Sequence, residues 1–263
     1  MTPSICLIIS TYNSPIFLEL VLLSVIRQRV LPKEVIIADD GSTSDTKNLI
    51  ESYKSQFPIP LSHIWQKDEG YQLSKIKNKA VAASSSDYII FIDGDLLLHP
   101  FFISDYQKNI CKGEILVASR VFLKKSFTEN LIKNKNKRVN VSLPDIEKNI
   151  LNSFRIYGLH QLIKGKTSYK GARGGLLGIF KKDYLDVNGF DEAFTGWGRE
   201  DSDLFVRLLN NGIRRRNIKF AAITYHLWHP QLSRDKLSVN DALLEKTISL
   251  QLKWCEKGIN QYL

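Results

Sequence analysis

The strongest constraint on the fold of this 263-residue chain is a repeated pairing: a short, continuously apolar run followed at once by a polar or acidic cluster. Ser4–Ile9 (SICLII) leads into Thr11–Tyr12–Asn13–Ser14–Pro15, Glu34–Ala38 (EVIIA) into Asp39–Asp40–Gly41–Ser42, and Tyr88–Ile92 (YIIFI) into Asp93–Gly94–Asp95. Leu61–Trp65 is a further short run, and helix-like segments (Ile16–Gln28, one from about Asp45, and Leu73–Ala83) lie between the runs. Unbroken apolar runs alternating with helices predict buried parallel strands joined by crossover helices. Strands in such a sheet point the same way, so the three polar clusters should gather at one edge. Ligands of open α/β sheets bind at that edge.

The second half is less regular. Ile115–Ala118, Leu176–Phe180 and Ala221–Tyr225 read as strands, and Leu204–Leu209 as a helix stopped by Asn211–Gly212. Val239–Glu256 reads as a terminal helix, and Phe122–Lys170 as a basic stretch with two helices and a mobile loop. The expected plan is a single α/β domain with a nucleotide-binding half to about residue 110 and an acceptor-binding, catalytic half over 111–263.

Composition narrows the class. With 43% hydrophobic and 24% charged residues the chain is globular, which excludes disordered and collagen-like classes. Cys6, Cys111 and Cys255 form no metal-finger spacing and imply reduced thiols. Ile5–Ile9 is too short to span a bilayer and lacks a basic flank and a cleavage site, so a cytoplasmic protein is expected. The net charge is +10, and Lys124–Lys170 holds eleven Lys/Arg against three Asp/Glu. Such a stretch suits nucleic acid, an anionic membrane face or a phosphorylated substrate, or is simply a solvated surface.

Three motifs carry chemistry. Two carboxylates flanking a glycine, as in Asp93–Gly94–Asp95, can hold a divalent cation that bridges phosphates. A second triplet, Asp201–Ser202–Asp203, competes with it, but the first directly follows a strand. Asp39–Asp40–Gly41–Ser42 is either a turn and helix cap or a carboxylate placed for a uracil imide, with Tyr12 as an aromatic neighbour. In Gly196–Trp197–Gly198–Arg199–Glu200–Asp201 a tryptophan between glycines packs poorly as core and suits a mobile sugar platform. The carboxylates after it begin a helix, whose dipole favours an ionised general base. His226 and His229, at the end of the last strand, are structural or would complete a cation's ligand set. The acidic clusters at the ligand edge argue against nucleic acid as a partner.

Taken together, these residues resemble the inverting family 2 glycosyltransferases of the GT-A fold, over about residues 4–230. The N-terminal likeness lies in STYN (Ser10–Asn13), DDGS (Asp39–Ser42), GYQLSKIKN (Gly70–Asn78) and DGD (Asp93–Asp95). The C-terminal part, Gly174–Leu204, resembles the GWGxED module of β1,4-galactosyltransferases, chondroitin-type polymerases and polypeptide GalNAc-transferases. The resemblance implies a Rossmann-like mixed sheet flanked by helices, a UDP-sugar donor and Mn²⁺ or Mg²⁺. Ser10, Tyr12 and Asp40 would contact the uridine; Lys77, where the family usually has arginine, would face the diphosphate, with Asn78 and Gly175 also on the nucleotide side. Asp93 would face ribose or metal, and Asp95 with His226 (or His229) would ligate the cation. Trp197 and Glu200 would hold the sugars, and Asp201 would be the catalytic base. A compact single domain with no membrane span suggests a bacterial transferase acting on a glycan acceptor, lipid-linked or not, such as lipopolysaccharide, lipooligosaccharide, capsule or O-antigen. The basic Lys124–Lys170 stretch would suit a phosphorylated, lipid-linked acceptor at the inner membrane face. Sugar-nucleotide pyrophosphorylases differ in carrying a Gly-rich loop where this chain has STYN; a catalytically silent paralogue would keep the same motifs.

Overall fold

Alternation within the first apolar run divides the core in two. Every residue of β1 (Ile5–Thr11) is buried. Ile5, Leu7 and Ile9 join one apolar cluster, while Cys6 and Ile8 join another on the opposite face. The same period of two divides Tyr88, Ile90 and Ile92 from Ile89 and Phe91 along the run at 88–92. A sheet covered on both faces explains why these runs are apolar throughout rather than alternating. The protein was analysed as a computed structural model that describes residues 2–134, 141–156, 158, 168–171, 175–230 and 235–263.

The first half follows the expected order: β1, α1 (Pro15–Ile26), β2 (Glu34–Asp39), α2 (Ser44–Lys54), β3 (Leu61–Trp65), α3 (Leu73–Ala83) and β4 (Tyr88–Asp93). β1 pairs in parallel with β2 and β4, and β2 with β3. The register sets Ser10 opposite Asp93 and Thr11 opposite Asp39, so the strand ends meet at one level.

The second half continues with β5 (Leu96–Leu98), α4 (Phe102–Asn109), β6 (Glu114–Val117), β7 (Ser119–Leu123), α5 (Lys125–Asn134) and β8 (Ile146–Lys148). After them come β9 (Leu176–Phe180), α6 (Lys181–Asp186), α7 (Glu200–Asn210), β10 (Arg214–Asn217), β11 (Ile223–His226) and α8 (Leu237–Ser249). The main sheet has the order β10-β6-β9-β4-β1-β2-β3, with β9 antiparallel to both neighbours, and a smaller sheet has the order β5-β11-β7-β8. This is the mixed α/β sheet with flanking helices that the motifs imply. Strands from beyond residue 110 complete the main sheet, so the two expected halves share it.

Several elements differ from expectation. Among its described residues the 122–170 stretch begins as the end of β7 and holds one α-helix, α5, with β8 and two short 3-10 turns; residues 135–140, 157 and 159–167 lie outside the described residues, as do 172–174 of the glycine-rich motif. β10 reads as RRRN, a polar sequence that a search for apolar runs passes over. Its Arg216 is held by Glu114 at 2.7 Å and by the carbonyl of Asn109 at 2.6 Å, which lets an edge strand carry so much charge. α8 ends at Ser249, short of the expected Glu256, because Gln251 turns left-handed (φ 49°) and Leu252 N–H caps the carbonyl of Thr247.

Candidate active site

The three polar clusters do meet. Asp40 N–H donates to the carbonyl of Thr11, Gly94 N–H to that of Ser10, and Asn13 N–H to Ser42 Oγ. Ser10 Oγ also lies 3.3 Å from Asp93 Oδ1. One edge of the sheet thus carries Ser10, Tyr12, Asp40, Asp93 and Asp95 side by side.

At its outer end lies an aromatic and acidic pocket edge. Tyr12 is 50% exposed and its hydroxyl donates to Asp68 Oδ2 at 2.9 Å. Trp65, which the sequence reading did not single out, is 52% exposed and held by its Nε1–H on the carbonyl of Ser42. Asp40 is buried and accepts from Gln66 Nε2 at 2.6 Å and from Gln72 N–H at 2.8 Å. Burial nevertheless raises its carboxyl above the usual value, with the charges of Asp68 and Asp39 adding to the effect.

The inner end gathers Asp95, His226 and His229. β11 pairs antiparallel with β5, His226 opposite Leu96, and Leu227 N–H bonds to the carbonyl of Asp95. That pairing brings both imidazoles to one carboxylate: Asp95 Oδ2 is 2.9 Å from His229 Nε2 and 3.4 Å from His226 Nε2. One donor atom from each of the three residues lies within 4.8 Å of the others. Asp95 Oδ1 is buried with no hydrogen-bond partner among the described residues. An anionic oxygen left unpaired beside two imidazoles fits a cation. Among the described residues the Asp-x-Asp rival, Asp201–Ser202–Asp203, forms no such cluster. Its Asp203 is buried and bonded instead to Arg207 at 2.6 Å and to Thr247 at 2.6 Å.

Asp93 turns from the cation group toward Arg120, whose Nη2 stands 3.2 Å from Asp93 Oδ2. Gly175 makes room for this carboxylate: a Cβ there would lie 1.8 Å from Asp93 Oδ2. Arg120 carried no signal in the sequence, since nothing local marks a lone arginine on a strand.

Across the site stands the start of α7. Gly196 and Gly198 have φ of 73° and 105°, which lets the chain turn tightly around Trp197, itself 37% exposed. The loop is bonded on both sides: Asn240 Nδ2 of α8 donates to the carbonyls of Thr195 and Gly198, and Gly196 N–H to that of Tyr71. Glu200 opens the helix with its Oε2 buried and without a hydrogen-bond partner among the described residues. Burial, then the charge of Asp201, push its carboxyl up to about 7, while Lys77 opposes the shift. Asp201 accepts a 2.6 Å bond from Ser202 N–H.

Tyr71, unassigned from sequence, joins the two sides. Its phenol is raised well above its usual value by burial and by the charges of Glu200, Asp93, Asp40 and Asp201. Carboxylates of both the strand edge and the α7 start therefore act on one hydroxyl.

Two expected nucleotide contacts sit deeper than their motif suggested. Asn78 is fully buried; its amide donates to Phe190 O and Glu192 Oε1, and its carbonyl accepts from Tyr184 OH and Phe190 N–H. Those four bonds use its whole capacity, so Asn78 fastens the 184–192 segment to α3 rather than facing a nucleotide. Lys77 is 1% exposed, with its ammonium 5.2 Å from the centre of the Phe190 ring and 5.9 Å from that of Phe91.

Comparison with known proteins bears on this geometry. The sequence pattern described as glycosyl transferase family 2 matches residues 6–167, and that described as the N-terminal domain of galactosyltransferase matches residues 158–230. The chain is 27% identical to the chondroitin synthase of Escherichia coli over 262 residues, which is 94% of this chain and 37% of that protein. It is 27% identical to the hyaluronan synthase of Pasteurella multocida over 225 residues, 78% of this chain and 23% of that one. The chain therefore spans well under half the length of these curated relatives. Among solved structures, S. aureus TarS 1-349 in complex with UDP-GlcNAc superposes with a TM-score of 0.61 at 14% identity, covering 98% of this chain and 69% of that one.

Proposed function

The chain belongs to glycosyl transferase family 2, and from that membership we propose that it transfers a hexose or N-acetylhexosamine from a UDP-sugar to a glycan acceptor with inversion at the anomeric carbon. The observation that carries this reading is the facing of two clusters: the donor edge with Asp40, Asp93 and Asp95, and the α7 start with Trp197, Glu200 and Asp201. The synthase relatives and the UDP-GlcNAc bound to TarS support the choice of donor.

In the proposed reaction Asp201 takes the proton of an acceptor hydroxyl, and that oxygen forms the new bond to the anomeric carbon. The bond to UDP breaks on the opposite face and its electron pair leaves with the diphosphate, so an α-linked donor gives a β-linked product. Trp197 offers an apolar face for a sugar ring, and Asp40, with Tyr12 and Ser10, lines the uridine side. Asp95, with His226 and His229, would hold Mn²⁺ in preference to Mg²⁺, because imidazole donors suit the softer ion. Such a cation would neutralise charge on the leaving diphosphate.

For the acceptor, the cationic stretch favours a phosphorylated, lipid-linked glycan at an anionic membrane. Ile150, Leu151, Phe154 and Ile156 within it are all exposed. UDP release from a panel of UDP-sugars with Mn²⁺ tests the main reading. Turnover of one donor, lost on chelation and lowered about 10²-fold or more in Asp201→Asn, is expected. No turnover and no UDP binding would remove it.

A further inference from the structure

Arg120 and Phe122 sit two residues apart on β7, so their side chains leave the same face of the strand. β7 pairs in parallel with β11, with Arg120 opposite Thr224 and Phe122 opposite His226. The Phe122 and His226 rings are 5.0 Å apart. The guanidinium therefore stands one register step from the Asp95 and His226 cluster, and its charge acts on both of those residues. Its backbone is fixed as well, because the Arg120 carbonyl accepts from Nδ2 of Asn149 and of Asn152.

The side chain is largely buried but incompletely paired. Nη2 lies 3.2 Å from Asp93 Oδ2, whereas Nε is buried with no hydrogen-bond partner among the described residues. A guanidinium presents five N–H groups in a planar fork, and leaving one of them desolvated and unpaired costs free energy. An acceptor arriving at that N–H would relieve the cost, and a fork of this kind suits an anion with several oxygens. The residue expected at the diphosphate, Lys77, is buried, with its ammonium beside the touching rings of Phe190 and Phe91.

We propose that Arg120 grips the diphosphate of the donor nucleotide, with Asp93 holding the guanidinium in place and Gly175 leaving space for that carboxylate. The assignment rests on the UDP-sugar reading given above. A diphosphate is favoured over an acceptor phosphate because Asp93, which bonds Arg120, and Ser10, which bonds Asp93, belong to the same strand-end edge as the uridine-side Asp40.

Calorimetric titration of UDP and of uridine into the wild type, Arg120→Gln and Arg120→Lys, in Mn²⁺ and again in chelator, tests this. UDP should bind Arg120→Gln about tenfold or more weakly, with uridine unchanged, and lysine should recover part of the loss. UDP affinity within twofold of the wild type in both variants overturns the proposal. A parallel fall in uridine affinity overturns it too, since Arg120 would then only support the strand-end edge. If the wild type binds uridine and UDP equally, no diphosphate grip exists. If it binds neither, the UDP-sugar reading itself fails and this assignment with it. Should Arg120→Gln not fold, Arg120→Lys alone decides, because it keeps the charge and loses the fork.

Discussion

Glu200 and Asp201 are adjacent in sequence yet differ in what surrounds them. Glu200 is driven up to about 7 by burial, with Asp201 and Asp93 adding to the shift and Lys77 opposing it. Its usual value is 4.5, so between about 4.5 and 7 the folded protein keeps a proton that the unfolded chain has released. Stability from this group is therefore fully present below the lower value and is lost as pH rises through the upper one. Glu200→Gln removes the loss: its melting temperature should exceed that of the wild type at pH 8, and the gap should narrow toward pH 5. Identical pH profiles for the two proteins would contradict the assignment. At Asp95 the expectation concerns binding. Wild type should take up Mn²⁺ in calorimetry, and Asp95→Ala should lose it at least tenfold, because the variant keeps two imidazoles but no anionic donor.

At the scale of elements, α7 is fastened from beneath by one buried ion pair. Arg207 Nε and Nη2 both donate to Asp203 Oδ2, and Nη1 donates to the carbonyls of Val187 and Gly189. Thr247 of α8 donates to the remaining oxygen of Asp203. Asp203→Ala would leave a buried guanidinium without its counter-charge, at a cost of about 3–5 kcal/mol, to be read from denaturant unfolding. A loss under about 1 kcal/mol would show that Arg207 finds another partner. The same helix pair sets the Trp197 loop through Asn240. A loop held by a neighbouring helix loses less entropy when a ligand arrives, which suits a site assembled from two clusters.

Over the whole molecule, the strand-end edge and the α7 start are joined through Tyr71 and Gln72, and the exposed Ile150, Leu151, Phe154 and Ile156 lie in the segment anchored on Arg120. Among the described residues no helix is long and apolar enough to cross a membrane. Peripheral contact would therefore rest on these side chains and on the cationic stretch. Vesicles containing anionic lipid should retain the protein at low salt and release it as salt rises. Leu151→Ser with Phe154→Ser should weaken retention severalfold without lowering the melting temperature, since Leu151 is 74% and Phe154 44% exposed. Retention unchanged by the double substitution would remove this segment from the contact.

Much of the frame was legible because its determinants are local. Buried parallel strands must be apolar along their whole length, so SICLII, EVIIA and YIIFI disclose both their conformation and their place in the sheet. The polar clusters after them had to share an edge once the strands ran parallel. β10 is not legible locally, because its Arg216 is held by side chains of α4 and β6, which no local pattern reveals. The same holds at the site. Both histidines reach Asp95 through the β5–β11 pairing, and Arg120 reaches Asp93 from the smaller sheet. Asn78, chosen by its motif, is drawn instead into the 184–192 segment. Hydrophobic period and chain direction are properties of a few consecutive residues, and the sequence alone determined them. Which distant strands pair, and which polar groups are thereby used up or left unpaired, depends on packing across the whole chain, and only the tertiary structure decided it.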